Sequence, residues 1–236
     1  METLIKITNL SYAIIFGLVT MLLSKHIISI TKKSDILRKF TYRYVTGIYI
    51  WYLLSLLLSI KGFFHDPKQF SEGDYIGFIY LLAAMFTPLI IFFFLFKNKV
   101  FQKLIDFISL KFITNLLTYR ILGGIYWFLL LFDNRAPALF IIPPAIFDAF
   151  IGLTAPAIYS NRLISPKIAK LWNYLGIFDF LLAFSIYFLY FPFKLIKVSP
   201  ELIMWGGFYP VAFIVIFVVP LSIILHIIAL KKISKL

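Results

Sequence analysis

The sequence has no cysteine. Disulfides, thiolate metal sites and cysteine nucleophiles are thereby excluded, although the redox compartment stays open. Charge is also scarce. Asp, Glu, Lys and Arg together make up 14% of the 236 residues, whereas soluble domains carry roughly a quarter. Acidic residues are the rarest, ten against 23 basic, and there are three histidines. The chain contains no HExxH helix, no GxSxG elbow and no glycine-rich phosphate loop, so no hydrolase or nucleotide site announces itself. No metal site and no cofactor is expected. No polar stretch is long enough to fold as a separate soluble domain.

What is abundant is apolar side chain, at 62% of residues. Water-exposed polar surface could not cover so much, whereas a bilayer solvates an apolar exterior directly. The net charge of +13 is dispersed between apolar runs, which fits membrane orientation rather than a nucleic-acid partner. The bilayer itself is the expected partner.

Crossing the hydrocarbon core takes about 20 mostly apolar residues. Seven stretches meet that requirement: 7–23, 44–60, 75–96, 112–132, 136–159, 171–191 and 204–230. The first is followed by Ser24-Lys25-His26 rather than a small-x-small cleavage site, so it reads as a retained span. The expected fold is all-α: a single integral domain, a polytopic transmembrane helix bundle of about seven spans.

The basic residues divide unevenly between the two sets of connections. Sixteen, including Lys32, Arg38, Lys103, Lys170 and Lys231, fall on one side, and six, including Lys61 and Arg135, on the other. Positive-inside logic places the N-terminus outside and the C-terminus in the cytoplasm, in a cell (inner or plasma) membrane. Within the basic third connection, Phe101, Leu104, Ile105 and Ile108 recur at helical spacing opposite Gln102, Lys103, Asp106 and Ser109. That pattern predicts an interfacial amphipathic helix over about 101–111.

Three charges lie inside predicted spans, where they are costly and usually paired or functional: Arg120, Asp148 and Asp179. At about 1.5 Å rise per residue, Arg120 and Asp179 lie about 12 Å from the basic side, and Asp148 about 18 Å from the other. The depths are comparable, so one shared site is geometrically allowed. One arginine facing two carboxylates can hold one of them bidentately. The other is then left to bind a proton or cation. The bland reading is an ion pair that only locks the helices. Tyr119 and Asn173 are further candidates for the site, and Gly123, Gly124 and Gly152 permit close helix approach. Pro143, Pro144 and Pro220 are expected to break their helices, since each removes a backbone donor, and broken helices often line membrane binding sites. His26 and His226 read as residues near span ends. His65, Asp66, Glu72 and Asp74 read as a solvated loop. Seven spans invite comparison with rhodopsins, but no lysine precedes Lys231 in the last span, so a retinal Schiff base is excluded.

The pattern Arg120-x-x-Gly123, Pro144-Ala145, Asp148, Gly152, Ala155-Pro156 and Asn173-x-x-Gly176-x-x-Asp179 covers about a quarter of the chain. It resembles uncharacterised bacterial multi-pass membrane proteins, with Phe147 where such proteins often carry glycine before the aspartate. The resemblance implies a bacterial inner membrane and no particular activity. The expected function is that of a small-molecule or ion transporter-like or ligand-binding protein centred on Arg120, Asp148 and Asp179. The alternatives are a structural or sensory subunit and, third, a lipid-modifying enzyme using the two aspartates as acid and base.

Overall fold

Side-chain caps cut the chain where the apolar runs alone give no boundary. The Ser34 hydroxyl accepts from the Leu37 amide at 3.4 Å, Asn98 Oδ1 from Val100 and Phe101 at 2.8 and 3.2 Å, and Ser109 from Phe112 at 3.1 Å. Each satisfies amide groups that the first helical turn leaves without partners. The computed structural model describes residues 2–32, 34–65, 76–134, 137–160, 165–190, 193, 195–196 and 207–235. Among these the regular structure is all helical, with no strand. The helices are α1 (Glu2–Thr31), α2 (Asp35–Ile60), α3 (Ile76–Lys97), α4 (Lys99–Phe107), α5 (Leu110–Leu116), α6 (Arg120–Phe132), α7 (Ala138–Ser160), α8 (Pro166–Tyr190) and α9 (Val219–Ile233). A 3-10 turn, Leu117–Tyr119, joins α5 to α6; a helical turn, Val211–Phe213, and a π turn, Ile214–Val218, lead into α9. Asp66, Glu72, Asp74, Lys68, Arg135 and Ala136 lie outside the described residues.

Seven helical stretches are long and apolar enough to cross a membrane, which points to a membrane protein. The helices exceed the expected spans at several ends, because caps and polar flanks extend helices beyond the apolar run. Many large apolar residues face outward, among them Ile79, Phe86, Ile90, Phe93 and Phe94 of α3, and Leu153 of α7. On a soluble protein such a belt would be a liability, whereas lipid accepts it. The last stretch, Val211–Ile233, is both the most apolar and the most buried. It forms the axis on which α3, α5 and α8 pack.

The amphipathic segment is shorter than expected. Rather than one helix over 101–111, α4 ends at Phe107, Ile108 adopts an extended conformation, and Ser109 caps a new helix. Leu104 and Ile105 of α4 are buried. Its C-terminal carbonyls are held by the chain's own tail: Lys232 Nζ donates to the Ile105 and Asp106 carbonyls at 3.1 and 3.0 Å. A cation there also complements the helix dipole. Lys235 Nζ meets Asp106 Oδ1 at 2.6 Å. That hydrogen bond, first, and the nearby lysine charges hold the Asp106 carboxyl below its ordinary value against the opposing effect of burial. A lowered folded-state value means the pair stabilises above the unfolded carboxylate value and loses that effect as pH falls. Asp106→Asn is therefore expected to destabilise the fold by less than about 1 kcal/mol at pH 7, because both side chains are half exposed, and to lower the melting temperature slightly. The difference should shrink progressively as pH falls below about 4 in a melting series.

Pro143 and Pro144 do not break their helix as expected, whereas Pro220 does sit at an interruption of regular helix. Pro143 and Pro144 lie in the second turn of α7, which continues through both and through Pro156. Near a helix start few backbone bonds are lost, and the neighbouring helix supports the rest. Pro220 lies at the start of α9, just after the π turn. Lacking an N–H, it leaves the Ile216 carbonyl, four residues back, without its helical donor. The Trp51 indole of α2 takes that carbonyl at 3.0 Å. A second side chain enters α1: the Tyr209 hydroxyl accepts from the Ala13 amide at 3.0 Å and donates to the Asn9 carbonyl at 2.5 Å.

Candidate functional site

Close approach of α6 and α7 builds the site. A Cβ on Gly152 would lie 2.5 Å from the Ile121 nitrogen and 3.1 Å from the Arg120 carbonyl carbon, and one on Gly124 would lie 2.9 Å from Ala149 Cβ. Small residues at these positions let the two backbones touch, which brings Arg120 of α6 beside Asp148 of α7. Gly123 has a separate role, since a Cβ there would strike the Asp148 carboxylate.

Arg120 is 2% exposed. Its Nε donates to Asp148 Oδ1 at 2.6 Å, one Nη1 proton to the Gly176 carbonyl at 3.1 Å, and Nη2 to Asp179 Oδ2. Nη1 also faces His226 Nε2 at 3.3 Å, and the Phe180 ring lies 4.4 Å from the guanidinium carbon. The fork thus joins α6, α7, α8 and α9. The three charges of the sequence reading do meet, on the helices expected.

The hydrogen bonds also assign the histidine. Asn173 Nδ2 donates to the Ala169 carbonyl at 2.8 Å, so its oxygen is the group facing His226 Nδ1 at 2.9 Å. Nδ1 must then carry the proton, leaving the Nε2 lone pair for Arg120. His226 is neutral in this arrangement. It is fully buried at the centre of the molecule, a position the reading from sequence missed. The signal was present: His226 lies seven residues before the end of α9, about 10 Å along the helix, the same depth inferred for Arg120. The stripe Asn173-x-x-Gly176-x-x-Asp179 is accounted for residue by residue. Asn173 orients His226, Gly176 presents its carbonyl and leaves room for the imidazole, and Asp179 takes Arg120.

Tyr119 stands apart. Its hydroxyl bonds Ser222 Oγ at 2.7 Å, and Ser222 in turn donates to the Val218 carbonyl. It fastens the 3-10 turn to α9 beside the cluster rather than within it. Trp127, which the sequence did not single out, hydrogen-bonds Asp148.

A cavity of about 70 Å³ reaches the two carboxylates, enough for several waters or a small ligand. Its walls come from the start of α3 (Phe78, Leu81, Leu82), from Trp127, Phe140 and Pro144, from the second half of α8 (Phe180, Ala183, Phe184, Tyr187) and from Val211, Ile214, Val215 and Val219. Asp148 and Asp179 supply its acidic groups. Asp179 is 1% exposed, and its Oδ1 has no hydrogen-bond partner among the described residues. A buried carboxylate oxygen without a donor is costly, so in a residue that borders the cavity it marks a place where a proton or ligand would be accommodated.

Residues 77–234 match a family model described as a domain of unknown function (DUF8737). No curated protein and no solved structure matches the chain.

Proposed function

This chain belongs to the DUF8737 family through residues 77–234, and from that premise we propose that it is a transporter-like membrane protein whose Arg120, Asp148 and Asp179 form an intramembrane proton- or ligand-binding centre. One observation carries the reading: Asp179 lines the cavity with Oδ1 unpaired while its other oxygen is held by Arg120. With two carboxylates on one guanidinium and a neutral imidazole behind it, the centre has an excess negative charge for an occupant to neutralise.

The distribution of lysine and arginine supports an N-terminus outside and a C-terminus in the cytoplasm. In that orientation the cavity occupies the outer half of the bundle. The Arg120–His226–Asn173 chain lies on its cytoplasmic side, as the inner barrier of an alternating-access cycle would.

Asp179→Asn tests the reading. The amide oxygen still accepts from Arg120, while the negative charge is removed. The variant is expected to be within about 1 kcal/mol of the wild type or more stable, since the carboxylate is held there at a cost. The wild type is expected to melt in a pH-dependent way between about pH 5 and 9, and the variant is expected to lose that dependence. If the variant loses about 3–5 kcal/mol and keeps the wild-type pH profile, the cluster is a structural lock, as in a structural or sensory subunit.

A further inference from the structure

We propose that the occupant of this centre is a small organic ammonium, with its positive end at Asp148 and Asp179 and its apolar substituents in the aromatic cavity. The inference rests on the ligand-binding reading above and names the class of ligand.

The charge of the lining sets the sign. Asp148 and Asp179 reach the cavity, whereas Arg120 and His226 do not line it. Arg120 spends its N–H groups on both carboxylates, the Gly176 carbonyl and His226. An anion would meet two carboxylates, and a neutral apolar molecule would bury Asp179 Oδ1 without a partner.

The rest of the lining separates organic from inorganic cations. Calcium takes six to eight oxygen ligands and magnesium keeps an octahedral shell of oxygens. Beyond the carboxylates this wall is almost entirely carbon, and among the described residues no group of three His, Asp or Glu is placed to hold a metal. A bare metal ion would lose its hydration there without replacement. An alkylammonium carries its own apolar surface, is weakly hydrated, and is attracted to aromatic faces within about 6 Å. Phe78, Trp127, Phe140, Phe184 and Tyr187 line the same cavity as the carboxylates. The cavity of about 70 Å³ suits a cation with one or two methyl groups, since benzene alone takes a cavity of about 150 Å³.

Isothermal titration of dimethylammonium chloride into the full chain in lipid nanodiscs tests this, alongside sodium and potassium chloride and a pH series of melting temperature. Saturable binding is expected, weakened at least tenfold in Asp179→Asn. Ala183→Phe fills the cavity without touching a charge. It is expected to weaken ammonium binding equally and to keep the Asp179-dependent pH profile, so the result does not depend on how the aspartate variant folds. Equal binding by wild type and Ala183→Phe would be partition into lipid and would overturn the proposal. So would an Asp179-dependent response to sodium, potassium or protons with no response to the ammonium, an outcome that leaves the broader reading in place. No ammonium binding together with no Asp179-dependent titration would overturn both.

Discussion

Arg120→Gln is expected to be the most destabilising single substitution of a polar residue in this chain. The guanidinium is the common partner of Asp148 and Asp179 and bonds the Gly176 carbonyl and His226 as well. Glutamine brings one amide in place of a charge with five donors. Two buried carboxylates would face each other without a cation, and removing one partner of a buried ion pair costs about 3–5 kcal/mol. The triple variant Arg120→Gln, Asp148→Asn, Asp179→Asn removes the stranded charges, so it is expected to regain more than half of the loss. Thermal unfolding of the four purified proteins (wild type, Arg120→Gln, the triple variant and Asp179→Asn) measures this directly. If the triple variant is no better than Arg120→Gln alone, the loss comes from the missing hydrogen bonds and packing rather than from unpaired charge. If Arg120→Gln melts like the wild type, the carboxylates do not depend on the guanidinium, and the central electrostatic argument fails.

Gly152→Val is expected to have the second largest effect, through contacts with no charge in them. A Cβ at this position lies 2.5 Å from the Ile121 nitrogen and 3.1 Å from the Arg120 carbonyl carbon, and these are backbone atoms that no rotamer change can move aside. The helices must separate, and the residue displaced with α6 is Arg120 itself. Overpacking of this kind costs about 1–3 kcal/mol and occasionally more, and here the ion pair to Asp148 would lengthen too. Gly152→Ala should lie between wild type and valine. Gly47→Ala is the matched control: nothing lies within 4 Å of its added Cβ, so alanine should be neutral or stabilise α2 by up to about 1 kcal/mol. Melting temperatures of the three variants that ranked Gly47→Ala with Gly152→Ala would refute the close-approach argument.

The number of long apolar spans, the membrane character of the chain and the three charged members of the cluster were legible from residue order alone. Each depends on a local property: the length of an apolar run, or the cost of a charge within it. Even the small residues of the α6–α7 contact were visible as glycines, although not what they cleared. What each glycine faces, Asp148 for Gly123 and His226 for Gly176, is a matter of tertiary contact.

The facing of the helices was not legible, for a reason particular to membranes. A lipid-facing side chain and a core side chain are equally apolar, so hydropathy does not distinguish the exposed face of α3 from the buried axis of Val211–Ile233. For the same reason His226 looked like a residue near a span end until packing placed it against Arg120 and Asn173. Proline chemistry was read correctly as the loss of a backbone donor, but its consequence depends on neighbours: α7 runs on through Pro143 and Pro144, and Trp51 satisfies the carbonyl that Pro220 leaves free. The sequence by itself thus determined which groups are expensive to bury. The tertiary structure decided which of them share partners, because hydrogen-bond stoichiometry belongs to the assembled helices. Arg120 divides its donors between two carboxylates, and one oxygen of Asp179, a residue bordering the cavity, is left without a partner among the described residues.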